Sequence, residues 1–501
     1  MRTWGTLTAV CLGTFMLLLD VTIVVVALPD MSHALHASLG DLQWVVDGYA
    51  LALAALLLGA GAAADVLGRR RTYVAGVVLF AAASLLCGLA AGPGMLVAAR
   101  VIQGVGAAAM FATTLPLLGS VYQGKQRSVA LGVWGAVSGG AAAVGPVLGG
   151  LLAEGPGWRW IFFVNLPVSV AAVWLTLRVV PESRGGGAGS AWQRVDWAGT
   201  AAFAAFAGGL TYAVVRAGED GWAAPATLTA FGCALLALVV FVLVERRVAH
   251  PLLDLSLLRN RTFVGVMAGA FAFNAVAFGV TPYLSLWMQT LLGMSPVRSG
   301  LTLLPMTVAA MVVAVLVGRL LHGAPSRLTI GGGLLLIGAG CLCQAVLSAG
   351  SDWTALIPGF VLVGAGTGLV SPTVAGAALA SVQPHRAGMA GGAVNTVRQL
   401  GYALGVAVFG TILTSRMEST LPHEAAHALA GGAAGALRAT FPDHVLHAAF
   451  ASGLNRALLT AGIAGLAAGA LVLAVVRTPR PAGEQPKAGG VPVEPTAARR
   501  R

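Results

Sequence analysis

This chain carries very little charge. Asp, Glu, Lys and Arg make up 10% of its 501 residues, where a soluble globular domain carries about 25%, and that scarcity excludes an ordinary soluble fold. Lysine occurs only twice, at Lys125 and Lys487. Cysteine is sparse too: Cys11, Cys87, Cys233, Cys341 and Cys343 are an odd set, all in apolar stretches, which argues against a disulfide framework. Cys341 and Cys343 stand two residues apart and diverge by about 200° on a helix, so they make a poor metal site. No G-x-x-x-x-G-K-[ST] phosphate loop occurs and no soluble segment could house one, which excludes an ATPase. Nothing points to an enzyme, a cofactor or a metal. The first apolar stretch is too long for a signal peptide, contains Asp20, and is followed by no A-x-A-like cleavage site.

What the chain has instead is apolar length. Hydrophobic residues make up 57% of it, and mean hydropathy is +0.85. About fourteen apolar stretches are long enough to cross a hydrocarbon core of roughly 30 Å at about 1.5 Å per residue. They read 6–28, 42–64, 72–91, 95–121, 129–153, 160–180, 197–215, 226–244, 262–291, 299–318, 327–349, 354–379, 387–414 and 455–476. Of the 30 Lys and Arg residues, 22 fall in the termini and every second loop, while Arg159, Arg216, Arg298, Arg416, Arg438 and Arg456 fall in the opposite loops. Arg100 and Arg398 lie inside spans. This asymmetry is the positive-inside rule. It places both termini in the cytoplasm, and it makes a nucleic-acid-binding face a poor reading of the net charge of +12.

The expected organisation is a six-helix unit over 1–180, a Gly-rich cytoplasmic linker at 181–196, two inserted helices with a cytoplasmic loop over 197–261, and a second six-helix unit over 262–477. An outside loop at 415–454 has room for one or two short amphipathic helices, and a Pro/Gly/basic tail at 478–501 is expected to be disordered. His33, His36, His423, His427, His444 and His447 read as solvated surface. Two six-helix units around a central cavity is the plan of many secondary transporters.

Four sequence blocks carry more specific information. Gly61-Ala-Ala-Ala-Asp65-Val-Leu-Gly68-Arg69-Arg70-Arg71 ends the second stretch in a tight turn that Gly68 allows. Arg100-Val-Ile-Gln103-Gly104-Val-Gly106 lies in the fourth, and Gly145-Pro146-Val-Leu-Gly149-Gly150 in the fifth. The last places small residues four apart, a face that lets helices approach closely, while Pro146 removes a helical hydrogen bond. Leu19-Asp20-Val-Thr22, Trp158 to Pro167 and Arg398-Gln399-Leu-Gly401 complete the set. The loop block resembles the cytoplasmic signature of the major facilitator superfamily, and the Gly-Pro block its antiporter signature. With fourteen spans, the whole resembles the fourteen-span drug:proton antiporters, the bacterial multidrug and antibiotic exporters.

That resemblance implies an all-α membrane protein of the major facilitator fold in the bacterial plasma membrane. It implies a latch of Asp65 and Arg69, with Gly61, Gly68 and Arg70, that holds an inside gate closed, and a purely structural role for the block remains open beside it. The chain departs from the family at Val25, where Asn is common, and at His322, which replaces Asp in a degenerate second copy of the loop between Gly318 and Arg327.

A carboxylate in lipid must face a cavity, find a partner or take up a proton. Asp20, about fourteen residues into its span, is the first candidate for a proton site. Its bland alternative is a permanent ion pair. Arg100 is the natural partner of Asp20, and by the resemblance it couples protonation to conformational change. Asp47 can meet a cation or a second proton, or stand as a wetted carboxylate near a helix start. Trp44, Tyr49, Gln103, Asn274, Phe278, Tyr283, Asn395 and Arg398 are candidates for a substrate cavity, with Phe273, Trp287 and Gln289 beside them. The expected partners are a lipophilic drug or antibiotic, protons and membrane lipid, with the protein a monomer. A metabolite importer and a non-transporting scaffold or sensor of the same fold remain open.

Overall fold

The computed structural model describes residues 2–122, 124–183, 196–249, 251–320, 324–382 and 387–476. Among the described residues there is no strand. Apolar runs that meet lipid can satisfy their backbone only internally, which selects helix. The first group is α1 (Arg2–Leu35), α2 (Leu39–Leu67), α3 (Arg69–Gly88), α4 (Pro93–Val121), α5 (Gly124–Glu154), α6 (Trp160–Phe163) and α7 (Asn165–Val179). Then come α8 (Trp197–Asp220) and α9 (Pro225–Glu245). The last group is α10 (Arg261–Phe278), α11 (Thr281–Leu286), α12 (Pro296–Thr302), α13 (Leu304–Leu320), α14 (Ser326–Gln344), α15 (Ile357–Ala380), α16 (Ala387–Met417), α17 (His423–Ala430), α18 (Ala434–Leu437) and α19 (Asp443–Val475).

Among the described residues, twelve helical runs are long and apolar enough to cross a membrane. The two remaining stretches of the sequence, 42–64 and 129–153, fall in α2 and α5. Polar residues mark several starts. Ser38 accepts from the Asp41 N–H while Asp41 accepts from the Ser38 N–H, a capping box for α2. Asn260 accepts from the first N–H groups of α10, and Pro93, Pro225 and Pro296 sit in first turns, where no donor is needed.

Two features differ from the sequence reading. The stretch 262–291 is not one helix: it breaks at Gly279–Val280, before Pro282, and ends in a wide π-turn at Trp287–Leu291. The segment between the last two long helices is also shorter than the expected 415–454. Helix α16 runs to Met417 and α19 begins at Asp443, leaving 418–442 to hold α17 and α18. The expected span began only at 455, which left the polar residues Asp443, His444 and His447 in the loop. The helix continues through them because Leu446, Phe450 and Leu454 on its other face are buried. Most of the 181–196 linker, the 478–501 tail and His322 lie outside the described residues.

Small residues set the close packing. A Cβ at Gly76 of α3 would sit 2.9 Å from the Gly106 carbonyl oxygen of α4, and one at Gly106 would sit 2.7 Å from the Phe80 nitrogen, so only glycine permits this approach. Helices α8 and α9 pair with each other, and α8 lies against α16 and α2, where Thr411 Oγ1 donates to the Val214 carbonyl at 3.0 Å. Leu235 and Leu236 on α9 are 62% and 64% exposed, and such an apolar outer face is stable only against lipid.

Several contacts join the first helical group to the last toward the end that carries 418–442. A Cβ at Gly150 of α5 would lie 2.5 Å from the Val297 Cα and 2.6 Å from the Pro296 carbonyl oxygen of α12. Gln289 Nε2 donates to the Val26 carbonyl of α1 at 2.8 Å. Ser32 Oγ donates to the Gly431 carbonyl at 2.5 Å.

Candidate functional site

Asp20, near the middle of α1, is fully buried and ion-paired with Arg100 of α4. The second carboxylate oxygen accepts from Gln103 Nε2 at 2.9 Å and from Asn165 Nδ2 at 3.2 Å. Arg100 is held on its other edges: Nε donates to the Val45 carbonyl at 2.9 Å and Nη1 to Gln103 Oε1 at 2.6 Å. Its guanidinium lies 4.4 Å from the centre of the Tyr49 ring, a cation–π contact worth about 2 kcal/mol when desolvated. Ser84 Oγ accepts from both Gln103 and Asn165, at 2.8 and 3.3 Å. Five elements (α1, α2, α3, α4 and α7) therefore close a buried polar network around the Asp20–Arg100 pair, and added hydrogen bonds of this kind offset the water that a buried ion pair loses.

The network takes in Tyr49 and Gln103, which the sequence reading assigned to the cavity. It also includes Ser84 and Asn165, which that reading did not single out. A signal for Asn165 existed, since it is a lone polar residue inside an apolar run.

The Gly-Pro block supports the network from behind. A Cβ at Gly145 would strike the Thr22 side chain, and one at Gly149 would lie 2.8 Å from the Ile23 carbonyl oxygen. Helix α5 thus packs directly on α1 two and three residues beyond Asp20. The Pro146 carbonyl is in turn in contact with Gly300 of α12, so one short face of α5 touches both the helix that bears Asp20 and the opposite group.

Asp47 is different. It is fully buried on α2, and among the described residues neither carboxyl oxygen has a hydrogen-bond partner. It is no wetted helix start, because α2 begins two turns earlier at Leu39. One turn before it, Gln43 Nε2 donates to Tyr283 Oη at 2.8 Å, and Tyr283 donates to the Val406 carbonyl of α16 at 2.5 Å. Asp47 thus stands where α2 meets α11 and α16, and an ionised carboxylate left alone there would cost several kcal/mol.

The other cavity candidates divide. Arg398 is half-buried on α16, its guanidinium 5.6 Å from the Phe273 ring centre, and among the described residues no carboxylate pairs with it. Phe273 and Phe278 meet edge to face at 5.7 Å. Asn274 and Asn395 are half-buried beside them in the chain, with Asn274 Nδ2 3.4 Å from the Ala270 carbonyl. Trp44 does not join this set: its ring meets Tyr212 of α8 at 6.5 Å. Trp287 is buried in packing, and Val25, 5% exposed, is an apolar wall.

At the Gly68 turn the side chain of Asp65 lies outside those described, while Gly61 approaches Ala112. Gly68 has φ +107°, and a Cβ there would also lie 2.6 Å from the Glu182 carboxylate. Glu182 was missed in the sequence, inside a segment read as linker. It accepts from the Arg70 N–H at 3.1 Å and lies 3.7 Å from Arg71 Nε. The Ser183 carbonyl accepts from the Arg69 N–H at 2.9 Å, and the Leu177 carbonyl from the Arg70 guanidinium at 3.0 Å.

A bundle of membrane-length helices with an exposed apolar surface and ionisable groups sealed inside is a multi-pass membrane protein. The chain belongs to the major facilitator superfamily, whose family model matches residues 10–406. It is similar to the multidrug resistance protein Stp of Mycobacterium tuberculosis, 36% identical over 83% of this chain and 77% of that protein. It is also similar to the tetracenomycin C resistance and export protein of Streptomyces glaucescens, 34% identical over 94% and 91%. In fold it resembles the inward-facing, unoccupied crystal structure of a bacterial homologue of the lysosomal transporter Spinster. That likeness has a TM-score of 0.64 and 16% identity, covering 95% of this chain and 97% of that one. The protein is a multi-pass protein of the bacterial plasma membrane.

Proposed function

We propose that this protein exports lipophilic, cationic or neutral toxic compounds across the plasma membrane in exchange for protons. It does so as a monomer of fourteen spans, with both termini in the cytoplasm and 418–442 outside. The relatives named for drug resistance and export support the direction of transport. The bias of arginine toward alternate loops supports the topology. In that orientation the contacts of Gly150, Gln289 and Ser32 close the outer end, and the two six-helix halves rock about a midplane cavity to open it.

The observation that carries proton coupling is the contrast between two buried carboxyls. Asp20 is held by Arg100, Gln103 and Asn165, whereas Asp47, equally buried, has no hydrogen-bond partner among the described residues. Rocking separates α2 from α11 and α16, which wets Asp47 and lets its proton leave or enter. Movement of α5 against α1 loosens the grip of Arg100 on Asp20, so that Asp20 binds a proton on one side and releases it on the other. Protonation and drug occupancy then compete, and the inward proton gradient drives efflux. Arg398, Phe273 and Phe278 line the drug's side of the cavity.

The test uses inside-out membrane vesicles with ethidium, an imposed proton gradient and an uncoupler, comparing wild type with Asp20→Asn and Asp47→Asn at equal expression. Uptake that needs the gradient and falls in Asp20→Asn is the expected result. Full gradient-driven uptake by Asp20→Asn refutes the assignment of that carboxylate, and uptake that survives the uncoupler refutes proton coupling.

A further inference from the structure

Three side chains converge at the 418–442 segment, away from the buried carboxyls. Glu418 directly follows α16. His423 opens α17 and His427 stands four residues on, which puts both imidazoles on one face of that helix. Glu418 Oε1 lies 2.6 Å from His423 Nδ1 and 3.1 Å from His427 Nε2. The two rings are 4.3 Å apart, and all three donor atoms lie within 4.8 Å of one another. His427 also lines a cavity of about 180 Å³, with Ser32, Ser38, Gly40 and Glu219 on its other walls.

We propose that Glu418, His423 and His427 bind a divalent transition-metal ion, with zinc the best fit. Two imidazole nitrogens and one carboxylate oxygen from two separate elements are a zinc donor set, and the nitrogens disfavour calcium and magnesium. Metal–ligand bonds of about 2.0–2.1 Å in a tetrahedron place neighbouring donors about 3.3 Å apart. Here the donors are closer, by about 0.7 Å at 2.6 Å and about 0.2 Å at 3.1 Å. Rotation of the side chains is enough to admit the ion, since His423 is 61% exposed and Glu418 30%. The cavity beside His427 supplies a water as fourth ligand.

The ion ties the end of α16 to α17, and the segment that follows α17 is seated on α1 through the bond from Ser32 to Gly431. Metal binding therefore fixes the cap of the outer end. This inference does not depend on what the transporter carries.

The experiment titrates zinc, and then cobalt(II), into the purified full-length protein in nanodiscs, with the purification tag removed and prior chelation. The expected result is one equivalent bound, with the intense visible absorption of tetrahedral cobalt(II). Either His423→Ala or His427→Ala weakens binding by more than about tenfold. Because an alanine can unsettle the short α17, Glu418→Gln, which keeps the shape, is the second variant and gives the same loss. Zinc binding unchanged in the His423→Ala/His427→Ala double variant, or lost instead on substituting His444 and His447, overturns the proposal. So does a wild type that binds no zinc.

Discussion

The carboxylate of Asp20 and the guanidinium of Arg100 meet with 0% and 2% of their side chains exposed. They lie eighty residues apart in sequence, on α1 and α4. Neither can leave the other in this conformation without stranding a charge in the buried interior, so the pair fastens α1 to α4.

Arg100→Ala leaves Asp20 buried and uncompensated. The expected loss is about 3–5 kcal/mol of stability, read as a lower thermal midpoint in detergent. The double variant Asp20→Asn/Arg100→Gln removes both charges and recovers most of that loss, yet does not recover gradient-driven uptake. Equal midpoints for wild type and Arg100→Ala would show that the pair is not a fastening.

Asp47→Asn tests the opposite case. The amide resembles the neutral acid, so stability is expected to stay within about 1 kcal/mol of wild type, because no charge pair is broken. Proton release on drug binding, followed with a pH indicator in weakly buffered detergent solution, is expected to fall. A large loss of stability would mean that Asp47 is charged and paired in the folded protein.

Gly150→Ala places a methyl group against the backbone of Pro296 and Val297, at 2.5–2.7 Å. Overpacking of this kind costs about 1–3 kcal/mol, and the cost falls only on the state in which α5 and α12 touch. The expected outcome is normal expression, slower transport and a larger distance between spin labels on α5 and α12. An unchanged distance distribution would remove α5–α12 contact from the closing of the outer end.

Glu182→Gln weakens the acceptor that holds the Gly68–Arg71 turn. Its carboxylate is 29% exposed toward Arg71, so the expected cost is small, about 0.5–1.5 kcal/mol. Gly68→Ala costs more, because it combines a φ of +107° with a collision against Glu182. Faster proteolytic cleavage of the turn in both variants, more so in Gly68→Ala, is the expected readout. Equal protection in all three proteins would separate Glu182 from the turn.

Several features were legible without coordinates. Asp20 and Arg100 could be matched because they are ionisable residues in spans that otherwise carry almost none. The Gly-Pro block could be read as a close-packing face because Gly145 and Gly149 recur at helical spacing. Ser84 and Glu182 could not be found this way: a serine in a span and a glutamate in a linker have no pattern that distinguishes them from neighbours. The histidines of the outer segment were read as solvated. Only the fold of 418–442 turns Glu418 toward His423 and His427.

Sequence alone determined that this protein lives in lipid, which stretches are apolar enough to span it and which loops carry the positive charge, because hydropathy and arginine placement are local and additive. Tertiary structure decided which polar residues are partnered. Asp20 and Asp47 are the same residue type in similar apolar runs, yet one is enclosed by Arg100, Gln103 and Asn165 and the other, among the described residues, has no hydrogen-bond partner. That difference arises from which helices cross at each depth, and in a dry interior the presence or absence of a partner sets the charge a carboxyl can hold.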